Sequence, residues 1–445
     1  MTDERMGLAG TLGLLAATVA VLFAVALSSE GDAGSAVGGS SPGAEAAVGL
    51  DADQLLELSL ERTPSVARRV AEIRGVEFDD VPEPQVTDVA GLLELAEGEL
   101  AKPRVAETIA AGDAALKLLG LLEPEDSLAD VSTEVTAGAA AFYDPKEKEL
   151  FLLGDAVPAG AALAEFVLAH ELNHALEDQA FGLPLSSASN DDRALAETAL
   201  VEGSATALMT EYAARYLTLS DLLGESAGIE GDTSDLPPIV LAQVTFAYIG
   251  GQAFVDELRA SANGGWDLVD FAYQRRLPAS TEQILHPEKY LDDEAPLRVD
   301  GPPGAGPGWE EVDSGAVGEF VTREILRQDA DEVGADEAAA GWGGDRYRLF
   351  SREGAPADCI DDCRADNALA IAWRGDDASE AVELRTALEG FVERSLDGAS
   401  EGEEIWELEG GWAAVDSSGD VTTLALAPDD ALARRLARPV SRVLK

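Results

Sequence analysis

Positive charge is what this 445-residue chain lacks most: 31 Lys and Arg stand against 85 Asp and Glu, a formal net charge of -54. Lysine is confined to Lys102, Lys117, Lys146, Lys148, Lys289 and Lys445. No basic stripe is present to neutralise phosphates, so nucleic acid is excluded as an expected partner. The acids are spread along the chain and not gathered in a tail, which reads as a solvated acidic surface. Such a surface stays soluble where salt screens its self-repulsion, with a Debye length of roughly 3 Å near 1 M, and a halophilic setting is the simplest account.

Cysteine is nearly absent. Cys359 and Cys363 are too few for a structural zinc site, which takes four ligands. Four residues apart in ADCIDDCRAD, they are expected to form a local disulfide outside the cytoplasm. Histidine is scarce too: His170, His174 and His286 are the whole supply. Hydrophobic residues are not lacking. At 46% of the chain they are enough for real cores, which excludes a disordered protein.

An uncharged run, MGLAGTLGLLAATVAVLFAVAL over residues 6–27, is long enough to span a bilayer, which takes about 20 apolar residues. It is expected to be a membrane anchor, or a signal if cleaved, with residues 1–5 cytoplasmic and the rest outside. Residues 28–50, rich in Gly, Ser and Ala, read as a flexible linker. A mainly helical domain is expected over 51–296, then a Pro- and Gly-rich linker over 297–312 and a C-terminal domain over 313–445.

Within the first domain, helical spacing runs from Gln54 to Ile73 and from Val89 to Leu119, with breaks expected at Pro64 and Pro103. AAFYDPKEKELFLL (140–153) reads as a β-hairpin turning at Asp144-Pro145. Helices are expected over Ala161–Gln179, from a cap at Asp191 or Asp192 to Tyr216, and over Pro238–Leu258. In the C-terminal domain DRYRLFS, ALAIAWR, WELEGGWAAVD and VTTLALAP read as strands, with helices at Asp377–Leu396 and at the end. The fold class is α+β: a helical domain with a hairpin or small sheet, then a small two-layer sandwich with helices on one face.

The chemistry gathers in AHELNHALEDQ. His170 and His174 are four apart, one above the other on a helix face, so both imidazoles can reach one metal ion. Glu171 projects beside them as a general base, which is the physical content of the HExxH pattern. Apolar residues flank the motif on both sides, so these polar groups are being buried and need a partner. A catalytic zinc usually takes a third protein ligand. The next helix offers Glu197 and Glu202, which point about 140° apart, so only one can face the metal. Gly203 and Ala205 would let that helix lie close to the HExxH helix, which favours Glu202 and leaves Glu197 as an exposed charge.

HELNH followed by LVEGSAT resembles the gluzincin zinc metallopeptidases, and VEGSA is most similar to the NEGFA segment of the M1 aminopeptidase branch, with Val201 in place of Asn. The resemblance covers about residues 140–290. It implies a zincin fold, a Zn2+ cofactor and hydrolysis of peptide or protein substrates, with the 140–153 hairpin placed to pair with the substrate backbone. Thr206 stands where thermolysin-like members carry an Asp that buttresses a histidine ligand, and no GxMEN-like exopeptidase segment is present. For the oxyanion donor two residues stay open. Tyr248, in FAYIGGQAFVDEL, resembles the Tyr-x-x-Gly segment that supplies a catalytic tyrosine in that branch, and His286, in STEQILHPEKY, is the remaining histidine. A non-catalytic surface protein stabilised by zinc is the competing function.

Overall fold

The structure, a computed structural model, describes residues 51–156, 160–184, 190–226, 236–356, 359, 363–402 and 404–438. The expected anchor at 6–27, the end before it and the linker up to residue 50 lie outside the described residues. The chain is α+β. Helices α1 (Ala52–Arg74), α2 (Val89–Leu100), α3 (Pro103–Leu118) and α4 (Leu128–Ala137) lead into the hairpin, with a short strand β1 (Gln85–Thr87) after α1. The hairpin is β2 (Ala141–Asp144) and β3 (Glu149–Leu153). Then come α5 (Ala161–Phe181), α6 (Asp191–Tyr216), α7 (Leu219–Ser226), α8 (Pro238–Ser261), α9 (Asp267–Arg275), α10 (Thr281–Leu285) and α11 (Pro287–Leu291).

The C-terminal part begins with β4 (Trp309–Gly315), α12 (Gly318–Arg327), α13 (Glu332–Ala340) and β5 (Trp342–Arg352). It continues through α14 (Cys363–Asp366), β6 (Asn367–Gly375), α15 (Ala378–Arg394), β7 (Ala399–Ser400), β8 (Ile405–Leu408), β9 (Gly411–Ser418), β10 (Val421–Ala427) and α16 (Asp430–Leu436). Its seven strands form one antiparallel sheet in the order β4-β5-β6-β10-β9-β8-β7. Cys359 and Cys363 are joined by a disulfide, as their spacing predicted.

The hairpin forms where expected, with Tyr143 opposite Leu150, and β1 adds to it in parallel to make a three-stranded sheet ordered β1-β3-β2. That order leaves β2 at the edge, against α5. Helix α5 is buried on every side from Ala161 to Asp178, which makes it the central rod of the domain. Gly182, at φ 77°, ends it in a conformation that suits glycine.

Several expectations are corrected. Pro64 does not break α1, which runs through it. Pro64 lies on the exposed side, while Val66, Ala67 and Val70 on the other side are fully buried. Their burial, at about 1.5–3 kcal/mol for each valine, outweighs a proline cost of about 3 kcal/mol. Pro103 does separate α2 from α3. The cap of α6 is Asn190, whose Oδ1 accepts from Arg193 N at 2.9 Å. Asp192 is free to turn inward, where it accepts from Thr281 N and Oγ1. The 297–312 linker runs into β4, whose Trp309 already pairs with Arg352. The C-terminal sheet carries helices on both faces: α12, α13 and α15 pack with Leu349, Ile371 and Trp373, whereas Leu432 and Leu436 of α16 pack with Phe350 and Ala370 on the other side.

Among the described residues, α8 is the helix long and apolar enough to cross a membrane by length and composition, and half of that stretch is buried in the protein. It lies backbone to backbone against α6. A Cβ on Gly203 would sit 2.1 Å from the carbonyl carbon of Gly251, and one on Gly251 would sit 2.1 Å from the oxygen of Ala199. Gly203 therefore serves the contact with α8, and the expected close approach to the HExxH helix is not its role. Gly203→Ala is expected to lower stability by about 2–3 kcal/mol, read from urea unfolding. An unchanged midpoint would mean that the two helices can part at no cost.

Candidate metal centre

Helices α5 and α6 bring together three of the residues singled out by the sequence. His170 Nε2 and His174 Nε2 are 2.9 Å apart, and Glu202 Oε2 lies 3.3 Å from the first and 3.5 Å from the second. All three side chains are buried, and among the described residues they form a group able to hold a metal ion. The donor set fits zinc. Ligand atoms about 2.0–2.1 Å from a tetrahedral zinc lie roughly 3.3 Å from one another, the spacing found here. Glu202 Oε2, which faces both Nε2 atoms, has no hydrogen-bond partner among the described residues. Converging lone pairs in a buried site are costly unless a proton or a cation lies among them.

The electrostatics agree. Burial pushes Glu202 up, but the charge of His174 and its other imidazole contacts outweigh this and bring it down to about 2. Burial would depress His174, yet Glu202 holds it up at about 9. His170, buried and beside a charged His174, falls to about 4. Without a metal the pocket thus pairs an anionic carboxylate with one neutral and one protonated imidazole, so the site already attracts a positive charge, which a bound cation would supply in place of the proton.

Glu171 is buried beside this group. Its Oε2 accepts from the backbone N–H of Tyr143 on β2 at 2.9 Å, while Oε1 has no partner among the described residues. Burial raises it to about 8, with His174 and the Tyr143 N–H pulling the other way. Glu197, in contrast, is not the exposed charge expected: it is buried and accepts from Arg193 Nε at 2.7 Å. The turn of α6 that faces Glu202 to α5 points Glu197 elsewhere, as their spacing requires.

Tyr248 is in the centre and His286 is not. Tyr248 lies in a π-helical turn, Phe246–Gly250, within α8; such turns recur at functional sites. Its ring stacks on His170 with centroids 5.9 Å apart, and its hydroxyl is hydrogen-bonded to Glu202. Burial, with the charges of Glu202 and Glu171, raises that hydroxyl well above the usual phenol range, so it stays a proton donor. His286 is part-exposed between α10 and α11, and among the described residues its charged partners are Glu319, at 2.9 Å, and Glu288. The hydrogen bond it donates to Glu319 raises its pKa against the opposing effect of burial.

The sequence reading missed the residues that hold α5 in place. Tyr143 ties β2 to it twice, through its N–H to Glu171 and its hydroxyl to Asp178 at 2.8 Å. One turn beyond His174, buried Glu177 receives Arg74 of α1, Ser204 of α6 and Tyr273 of α9. Arg74, fully buried, also reaches Asp270 at 2.8 Å and lies over Trp266. The only sequence signal was a pair of acids, Glu177 and Asp178, continuing an otherwise apolar helix. Thr206 is buried with its hydroxyl unpartnered among the described residues, so it buttresses neither histidine.

Three comparisons with known proteins give little more. A family model described as "Domain of unknown function (DUF8575)" matches residues 308–437, which is the C-terminal sheet with its helices and none of the metal-centre residues. No curated protein matches the chain in sequence. A crystal structure of a protein from Chloroflexus aurantiacus, described as a candidate hydrolase with a novel fold, aligns at 16% identity and a TM-score of 0.33. It covers 54% of this chain and 96% of its own. At that score the likeness establishes neither a shared fold nor a shared activity.

Arg74→Met is expected to cost about 3–5 kcal/mol in chemical denaturation, because Glu177 is left buried without a counter-charge. Adding Glu177→Gln should recover much of the loss. Additive losses in the double variant would show that the two side chains are not coupled.

Proposed function

We propose that this chain is a zinc-dependent hydrolase of peptide bonds, tethered to a membrane through residues 6–27 with its described part outside the cytoplasm. The observation that carries the reading is the convergence of His170, His174 and Glu202 with Glu171 alongside, one of its oxygens unengaged. The resemblance of HELNH and VEGSA to the gluzincins supports the same assignment.

His170, His174 and Glu202 would hold the ion, which when bound supplies Lewis acidity to polarise a carbonyl and acidify water. Glu171 is the proton carrier. Its Oε2 is anchored by Tyr143 N–H, leaving Oε1 to take a proton from water and deliver it to the leaving amine. A carboxyl raised by burial is suited to both halves of that transfer near neutral pH. Tyr248, kept protonated by its surroundings, donates a hydrogen bond to charge developing on the carbonyl oxygen. Enclosure of these groups excludes bulk water and strengthens each interaction.

That same enclosure favours a second reading, in which zinc only stabilises a binding protein: His170, Glu171, His174 and Glu202 are each no more than 5% exposed. Two features weigh against it. A structural zinc takes four protein ligands, and the group among the described residues has three. A base beside the ligands is also superfluous to a structural site.

Metal analysis should find about one zinc per chain, lost in Glu202→Ala and kept in Glu197→Gln. Glu171→Gln should retain zinc yet lose hydrolysis of a peptide library in high salt by about a thousandfold or more. Tyr248→Phe should lower kcat by about a hundredfold to a thousandfold, and His286→Ala should leave it nearly unchanged. Full hydrolysis by Glu171→Gln would sink the mechanism. Zinc with no turnover in the parent protein, together with a melting temperature that falls on chelation, would establish the structural reading instead.

A further inference from the structure

A cavity of about 600 Å³ opens away from the metal centre, between the start of α6, the segment leading from α11 to β4, and strand β5. Ligand sites commonly have this size and lie between domains. Three arginines line it: Arg298, Arg346 and Arg348. Arg348 is committed, its guanidinium bound to Glu311 and to the carbonyl of Pro302. Arg298 and Arg346 are exposed and, among the described residues, neither is in an ion pair, although the charge of Arg346 acts on buried Asp345.

Most of the lining acids are already engaged. Asp192 receives Thr281 twice, and Asp345 receives the N–H groups of Val317 and Gly318 and the indole of Trp342. Glu311 is held by Arg348, which leaves Asp300 as the lining acid without such a partner among the described residues. Although the lining as a whole carries four acids to three arginines, two guanidiniums outside any ion pair on one cavity wall stand out in a chain of net charge -54. Their planar forks match a carboxylate or a phosphate.

We infer that this cleft is a second binding site, one that takes the carboxylate of a peptide-like ligand on Arg298 and Arg346. A carboxylate is favoured over phosphate because the cost of desolvating an anion rises with the square of its charge, whereas the attraction of the two guanidiniums rises only in proportion to it. Pro296, Leu297 and Val299 on the same wall suit an organic body attached to the charged end. Asp192 and Glu202 are ten residues apart on α6, which places the cleft about 15 Å along that helix from the metal centre. An extended peptide crosses that distance in about five residues. The peptide nature of the ligand rests on the peptidase reading; recognition of the carboxylate does not.

The test is calorimetric titration of Glu171→Gln protein with N-acetyl-trialanine as the free acid and as the C-terminal amide. The acid is expected to bind about tenfold tighter, with the preference lost in Arg298→Gln/Arg346→Gln on the same background. Both arginines are exposed, so the variant should fold, and its circular dichroism and melting temperature check this. Equal binding of acid and amide overturns the inference. A preference that survives the double substitution overturns it too, since the carboxylate then binds elsewhere. Inorganic phosphate that displaces the acid peptide at lower concentration would assign the cleft to phosphate groups and overturn the carboxylate reading. None of these arms measures turnover, so failure of the peptidase reading leaves each outcome interpretable.

Discussion

The contact on which the rest depends is the one between Gly203 and Gly251, where α6 and α8 meet with no side chain between them. Glu202 immediately precedes one glycine and Tyr248 lies three residues before the other. Bringing the two backbones together is therefore what sets the tyrosine against the carboxylate and against the ring of His170. Any side chain at that crossing would push the helices apart by more than a hydrogen bond can stretch. The π-helical turn just before Gly251 belongs to the same arrangement, because the extra residue re-aims Tyr248 along α8.

A second demand is charge. Burying His170, Glu171, His174, Glu177 and Glu202 in one acidic protein requires compensation close at hand. Part of it is a cation, Arg74, held over Trp266 and shared by Glu177 and Asp270. Part is neutral: hydroxyls of Ser204 and Tyr273 and a strand N–H at Tyr143. Of the side chains that converge on the metal centre, Glu171 and Glu202 are only partly engaged, the first by the Tyr143 N–H and the second by the Tyr248 hydroxyl. This separates a supporting shell, satisfied within the protein, from groups poised for a ligand.

The C-terminal sheet is joined to the helical domain by shared elements. Helix α3 gives Val105 and Ile109 to the helical core and Ala114 and Leu118 to the sheet's core, and α12 divides Phe320 from Ile325 and Leu326 in the same way. Tyr347 of β5 adds its hydroxyl to Asp191 at the start of α6. The helix that carries Glu202 is thus braced at its far end by the sheet, and the arginine-lined cleft sits at that brace.

Local pattern alone determined a good deal. Residue spacing on a helix places His170 and His174 on one face whatever surrounds them. Alternation with turn residues determines the hairpin and most of the C-terminal strands, though WELEGGWAAVD folds as two strands, β8 and β9, and the disulfide joins the two cysteines the chain has. The choice of Glu202 was legible, though for a reason the structure replaces: its glycine neighbour packs on α8, a helix that adjacency in sequence could not single out. Whether Pro64 breaks a helix, whether Asn190 or an aspartate caps α6, and whether Tyr248 or His286 joins the centre were decided by tertiary packing. Each depends on which distant surface lies alongside, such as Glu319 drawing His286 away and Glu202 receiving Tyr248. Propensity and periodicity act over a few residues, whereas burial and charge pairing act between segments that the chain brings together only when it folds.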